Sequence, residues 1–286
     1  MTALRYDVFV TPPIPQHSGT LNLPSGEPIA WSPLSTTLIY GERDVVLVDP
    51  PFTTDTTRDV LDWVEGIGRN ITDVYITHGH GDHWFGAPVV LERFPNAVVR
   101  ATAGTRAHMT SPDLPASRAS FWDALFPGQI PTTPLDVQVV DEQGWRLEGE
   151  QLVPIEVGHS DGDDSTVLWV PSLKLVVAGD VVYNGVHPSL AEAAGAGRDA
   201  WRRALDAVQG LGAQIVVAGH KDPTRADDPA DIGHTRRYLD DVDQHLKGTP
   251  TPMEFFETMT SIHPQRLNPG VLWFGALTLL ADNPAR

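Results

Sequence analysis

An α/β fold built on two sheets is the architecture this sequence predicts, and two observations carry the prediction. An apolar run at 74–76, rich in β-branched and aromatic residues, reads as a buried strand; a glycine-punctuated polar turn follows, then apolar residues at roughly helical spacing over 84–94. The second half repeats that plan, with strand-like runs at 137–140, 152–157, 166–170 and 175–177 building a second sheet before a helix over 199–210. Composition agrees with this but could not have produced it: 286 residues that are 41% apolar suffice for a sizeable buried core. Length alone suggests about two domains, yet no linker of low complexity or charge divides the chain, so it reads as one elaborated domain over 1–286.

Taken in order, residues 6–10 form a first strand. The Pro-, Ser- and Gly-rich stretch 11–33 suits neither a helix nor a central strand. It is expected to be an irregular covering loop, with lining of a pocket mouth as the alternative. Runs 36–40 and 45–49 make a hairpin, closed by Asp49 before Pro50 and Pro51. A helix over 54–66 follows, capped by Thr54 or Asp55, and strand 97–101 comes after the 84–94 helix.

Region 104–134 mixes helix-like pieces with five prolines and forms a helical insertion. Its Phe121, Trp122, Leu125 and Phe126, at helical spacing, read first as core contacts and second as the wall of an apolar substrate pocket. His108 reads as an ordinary surface or core histidine. Beyond Asp222 the chain turns helical, with an amphipathic stripe at Ile232, Tyr238, Leu239, Val242 and Leu246 and further apolar helices at 253–259 and 271–280. These C-terminal helices, 228–286, suit packing on the sheets, capping a pocket or forming a homodimer face, and the sequence does not choose among them.

The stretch that organises the rest is Thr77-His78-Gly79-His80-Gly81-Asp82-His83, which places three histidines and an aspartate within six residues. His78 and His80, at i and i+2 in an extended segment, point the same way; Asp82 and His83 leave the start of the helix toward a neighbouring point. Neutral imidazole and carboxylate are ligands that zinc, iron and manganese accept. This is a metal site.

The string His78-x-His80-x-Asp82-His83 resembles the signature of the metallo-β-lactamase superfamily. The resemblance implies an αβ/βα sandwich, two mixed sheets flanked by helices, with the metal site at one edge. It also implies further ligands at later strand ends, and His159, Asp180 and His220 stand in the right order after apolar runs. Carried over by position, His78, His80 and His159 would hold one metal, Asp82, His83 and His220 a second, with Asp180 bridging. The implied cofactors are two zinc ions, with iron or manganese as alternatives. In the family an aspartate at the position of Asp49 braces the metal loop; a simple turn-forming role is the alternative. Asp161, Asp163 and Asp164 either bond to ligand histidines or are merely solvated.

The resemblance implies hydrolysis by a metal-bridging hydroxide of a small-molecule lactone, ester or β-lactam carbonyl, with Asp82 or Asp180 taking the proton. Asp180 and Tyr183 favour lactones: a carboxylate bridges the metals in the lactone, thioester and phosphodiester hydrolases, and Tyr183 matches the tyrosine that acyl-homoserine lactonases direct at the substrate. A phenol there can donate to a carbonyl oxygen as charge builds; packing under the sheet is the alternative. His187 is a candidate to reach the pocket. A thioesterase of the hydroxyacylglutathione hydrolase type is a second reading, although no basic C-terminal cluster is present to grip glutathione. An iron-dependent oxidoreductase is a third, although Gly79 stands where the flavodiiron type has glutamate.

Composition narrows the partners. A formal net charge of −17 repels phosphate backbones and anionic membranes, which argues against nucleic acid and membrane partners. Without cysteine there is neither a disulfide framework nor a thiolate site. No basic-then-apolar leader opens the chain and no run is long enough to span a membrane, so a cytoplasmic protein is expected.

Overall fold

The computed structural model describes residues 3–17 and 21–281. The two ends of the expected domain, 1–2 and 282–286, and residues 18–20 of the covering segment lie outside these residues. Six strands form one sheet in the order Arg5–Val10, Ser35–Tyr40, Asp44–Val48, Asn70–Tyr75, Val98–Ala101 and Val137–Val139. The first three pair antiparallel, and the pairings from Asp44–Val48 onward are parallel. A five-stranded sheet runs Ile215–Val217, Leu175–Val177, Ser165–Val170, Glu150–Gly158 and Trp145–Leu147. Sequence patterning assigns 137–140 to the second sheet; the structure corrects this. Val137–Val139 pairs parallel with Val98–Ala101 and closes the first sheet, because a hydrophobic run states that a strand is buried and not which edge it completes.

Side-chain alternation explains why these strands read as continuous apolar runs. Val46 and Val48 point into a core shared with Leu168, Leu175 and Val217 of the other sheet. Val45 and Leu47, one residue out of phase, pack instead with Val60, Leu61 and Val64 of helix Thr54–Ile67. Across the second sheet Val176 faces outward with Trp201, Leu205 and Val208 of helix Gly197–Gly210. Both sheets are thus covered on both faces, which removes the polar alternation of a half-exposed sheet. The resulting helix–sheet–sheet–helix layering is the expected αβ/βα sandwich.

Helix Thr54–Ile67 begins one residue earlier in its capping than the sequence suggests: Thr53, not Thr54 or Asp55, is the N-cap, and its side chain accepts from Thr56 N. Thr54 is instead held by Gln129 of the insertion, to whose backbone oxygen it donates from both N and Oγ1. A capping box of Thr251 and Glu254 starts helix Pro252–Ile262. Among the described residues no helix is long and apolar enough to cross a membrane.

Candidate metal centre

Three strand ends converge at one rim of the sandwich. Strand Asn70–Tyr75 delivers the histidine-rich loop, whose residues Gly81–His83 make a single 3-10 turn. Gly81 is required there, since a β-carbon would fall on the ring of Phe85. Strand Leu175–Val177 runs into the turn Gly179–Val181 carrying Asp180, and Ile215–Val217, parallel beside it, leads to His220. A short parallel pair then sets Tyr183 opposite His220. Gly219 completes this junction, because its β-carbon would collide with Asp180 Oδ1.

Hydrogen bonds fix which nitrogen four of the imidazoles present. His83 Nδ1 donates to Asp49 Oδ2 at 3.1 Å, His220 Nδ1 to Pro33 O at 2.9 Å, and His159 Nδ1 to Asp163 Oδ1 at 2.7 Å. His78 Nδ1 lies 3.0 Å from Thr77 Oγ1, which itself donates to Asp49 Oδ2 at 2.7 Å. With Nδ1 engaged, Nε2 is the nitrogen left for a metal. Nε2 of His78, of His83 and of His159 is buried without a partner, as is Asp180 Oδ1. His83 Nε2 approaches Asp180 Oδ1 to 3.3 Å, but the two are not aligned for a hydrogen bond. Buried polar atoms left bare are costly in a folded chain, and bare imidazole nitrogens beside carboxylate oxygens are what a divalent cation needs. The donor set fits a metal.

Among the described residues, three groups each bring their donor atoms within 4.8 Å of one another: Asp82 with His83 and His220, His78 with His80 and Asp161, and Asp49 with His78 and His83. Asp180 joins the first, its Oδ2 being 3.3 Å from His220 Nε2. The second contains Asp161, whose Oδ2 is 3.0 Å from His80 Nδ1, while His159 stands outside all three groups. Asp49, at φ 53°, both turns the chain and braces the loop by accepting from Thr77 N at 2.8 Å.

Charge at the site is tightly linked. Burial works against protonation of His220, but Asp180 and Asp82 outweigh it and push its pKa up to about 10. Burial likewise opposes the charge of His83 and of His80, which nearby carboxylates nevertheless raise well above the usual imidazole range. Burial and the adjacent His83 and His80 hold His78 well below it. In the metal-free chain, protons on some of these imidazoles balance the buried carboxylates.

Above this floor opens a cavity of about 830 Å³. Tyr183, 1% exposed, lines it but turns its hydroxyl onto Asp180 Oδ2 at 2.6 Å. His187 also lines it, with Nδ1 2.9 Å from Tyr238 Oη. The stretch 11–33 contributes Ile29, Ala30 and Trp31 to the wall, so it is a pocket lining and not only a cover. The insertion divides its aromatics, with Phe126 buried in the core and Phe121 and Trp122 facing the cavity. Two contacts have no counterpart in the sequence reading: Trp31 Nε1 donates to Asp82 Oδ2 at 3.0 Å, and Glu192 Oε1 lies 3.2 Å from His80 Nε2. A lone tryptophan in a proline-rich stretch and a lone glutamate in an alanine-rich loop carry no spacing signal. His108 pairs with Asp164 at 3.0 Å.

Comparison with known proteins agrees with this geometry. The family model described as "Metallo-beta-lactamase superfamily" matches residues 30–220. The "Metallo-beta-lactamase type 2" of Bacillus cereus is 25% identical over 201 residues, 68% of this chain and 69% of that one. Its namesake from Bacillus sp. (strain 170) is 23% identical over 192 residues, covering 66% of each. The matches thus span about two thirds of the relatives' own length. Among solved structures, the DIM-1 metallo-beta-lactamase exposed to ceftazidime superposes with a TM-score of 0.60 at 19% identity, over 84% of this chain and 97% of that one. A metallo-beta-lactamase family protein from Thermus thermophilus also gives 0.60, at 17% identity over 96% and 93%.

Proposed function

The chain belongs to the metallo-β-lactamase superfamily of metal-dependent hydrolases, and we propose that it uses two divalent cations, zinc foremost, to hydrolyse the carbonyl of a small lactone or ester. The observation that carries this reading is three imidazoles, His78, His83 and His159, whose Nδ1 atoms are engaged and whose buried Nε2 atoms are bare, together with a bare Asp180 Oδ1 that lies 3.3 Å from Nε2 of His83. His78, His80 and His159, with Asp161 as an added oxygen donor, would hold one cation. Asp82, His83 and His220 would hold the other, with Asp180 shared. Bound there, the cations would polarise a carbonyl and lower the pKa of a water from about 16 toward about 7.

The chain's own groups arrange the rest. Trp31 Nε1 donates to Asp82 Oδ2 and so fixes the plane of that carboxylate, which would orient Asp82 as a proton acceptor beside the cations. Tyr183 donates to Asp180 Oδ2 and so holds its other oxygen toward His83. With its hydroxyl committed to Asp180, Tyr183 is a positioning residue in this reading rather than a donor to substrate. Asp180, a carboxylate at the shared position, suits lactone and thioester hydrolases alike, and a cavity lined by apolar rings, without lysine or arginine among the described residues, favours the small lactone or ester.

Turnover of a panel of lactones, aryl esters, thioesters and a chromogenic cephalosporin by zinc-reconstituted enzyme tests the proposal. Lactones or aryl esters should lead the panel, and Asp180→Ala should lose at least about a hundredfold in kcat/KM, more than loss of a supporting contact costs, with the near-UV circular dichroism retained. Near-parental turnover by Asp180→Ala would overturn it.

A further inference from the structure

We infer that the cavity above the metal centre selects an uncharged substrate with a bulky apolar substituent and rejects one bearing a carboxylate or phosphate. This rests on the hydrolytic reading above and narrows its substrate class. The cavity's volume, about 830 Å³, exceeds what a bare lactone ring needs and suits a drug-sized molecule. Three segments distant in sequence wall it with apolar rings and chains: Trp31, then Phe121, Trp122 and Leu125, then Val271 and Phe274. These walls are one continuous surface. Trp31 and Trp122 meet at 4.9 Å between ring centroids, and Phe121 reaches Phe274 of helix Pro269–Leu279 at 6.1 Å.

Charge decides the second half of the inference. Among the described residues lining the cavity there is no lysine and no arginine. The nearest candidates along the chain are engaged elsewhere. Arg118 donates to Ile130 O at 2.8 Å and to Asp123, Lys221 is bound to Asp227, and Arg266 donates to the backbone oxygens of Val186 and His234. The floor instead carries four carboxylates, Asp82, Asp161, Asp180 and Glu192. Their four negative charges match those of two divalent cations, so the loaded site would have no surplus positive charge to attract an anion. The chain's net charge of −17 adds long-range repulsion. An anionic group pushed against the aromatic wall would lose its hydration and find no cationic partner, whereas each buried methylene gains about fourfold in binding.

The test uses zinc-reconstituted enzyme and a series of lactones with alkyl substituents of increasing length, each paired with an analogue of equal length ending in a carboxylate. kcat/KM should rise by about fourfold per methylene over the first several carbons, and a terminal carboxylate should lower it by at least about a hundredfold. Ser120→Arg, which places a cation on the exposed rim, should recover at least about tenfold for the carboxylate series only. Binding of the matching five-membered lactams, whose unstrained amides resist hydrolysis, is followed by calorimetry in parallel and should show the same order. A flat length dependence, or carboxylates binding as well as neutral partners, overturns the inference. If lactams bind in the expected order while nothing is hydrolysed, the cavity's selectivity stands and the hydrolytic reading falls.

Discussion

Asp49 Oδ2 and His83 Nδ1 lie 3.1 Å apart with both residues almost entirely removed from solvent. The same carboxylate accepts from the backbone and hydroxyl of Thr77, at 2.8 and 2.7 Å. One aspartate at the end of strand Asp44–Val48 therefore orients His83 directly and His78 through Thr77, although it needs to touch no metal itself.

Replacing Asp49 strips three buried donors of their acceptor at once. Asp49→Ala should lower stability by about 2–4 kcal/mol and weaken zinc binding by about 10–100-fold, read by denaturant unfolding and by competition with a chromogenic chelator. Unchanged zinc affinity in a folded variant would show that the brace is irrelevant to the site.

The indole of Trp31 serves two ends, since its ring walls the cavity and its Nε1 holds Asp82. Trp31→Phe keeps most of the apolar surface and removes only the donor. It should reduce kcat by about tenfold, the worth of a hydrogen bond to a charged group, with KM nearly unchanged. A variant with raised KM and parental kcat would assign Trp31 to substrate packing alone.

His187 gives the acid limb of the stability profile. Burial, with Arg266 and His263 adding repulsion, lowers its pKa to about 3 from an ordinary value near 6.5. The unfolded chain therefore binds this proton more readily than the folded one. Stability from the neutral buried imidazole is fully present above pH 6.5 and is lost as pH falls toward 3. In the metal-free protein, His187→Gln should cut the stability difference between pH 7 and pH 5 by about 2 kcal/mol, measured by urea titration. An unaltered difference would mean that His187 does not titrate with folding.

Metal removal should reverse the charge balance at the floor. Burial opposes the His220 imidazolium, yet Asp180 and Asp82 carry its pKa to about 10, so the metal-free chain holds that proton at neutral pH. Zinc uptake at pH 7.5 should release at least about one proton per chain and tighten as pH rises, which an indicator dye records. Uptake without proton release would show that the metal binds elsewhere.

How much of this was legible in the sequence follows from the range over which each feature is specified. The β-branched runs and the helical stripes state which segments are buried, and the sandwich follows once each strand is seen to feed both faces. The spacing of His78, His80, Asp82 and His83 acts within one turn of chain, so their convergence can be read locally. Trp31 meets Asp82 across 51 positions and Glu192 meets His80 across 112; no local pattern encodes such pairs. The same holds for Val137–Val139, whose sheet is chosen by the fold around it. Phe121 and Trp122 show the limit from another side, because helical spacing marks them as apolar contacts without saying whether they meet core or cavity.

The count of zinc ions bound per chain, taken by native mass spectrometry on the parent and on Asp180→Ala, bears most directly on the central claim. Two ions on the parent, and loss of at least one from the variant, is the predicted result. A parent chain that saturates at a single ion, unaffected by removing Asp180, would contradict it.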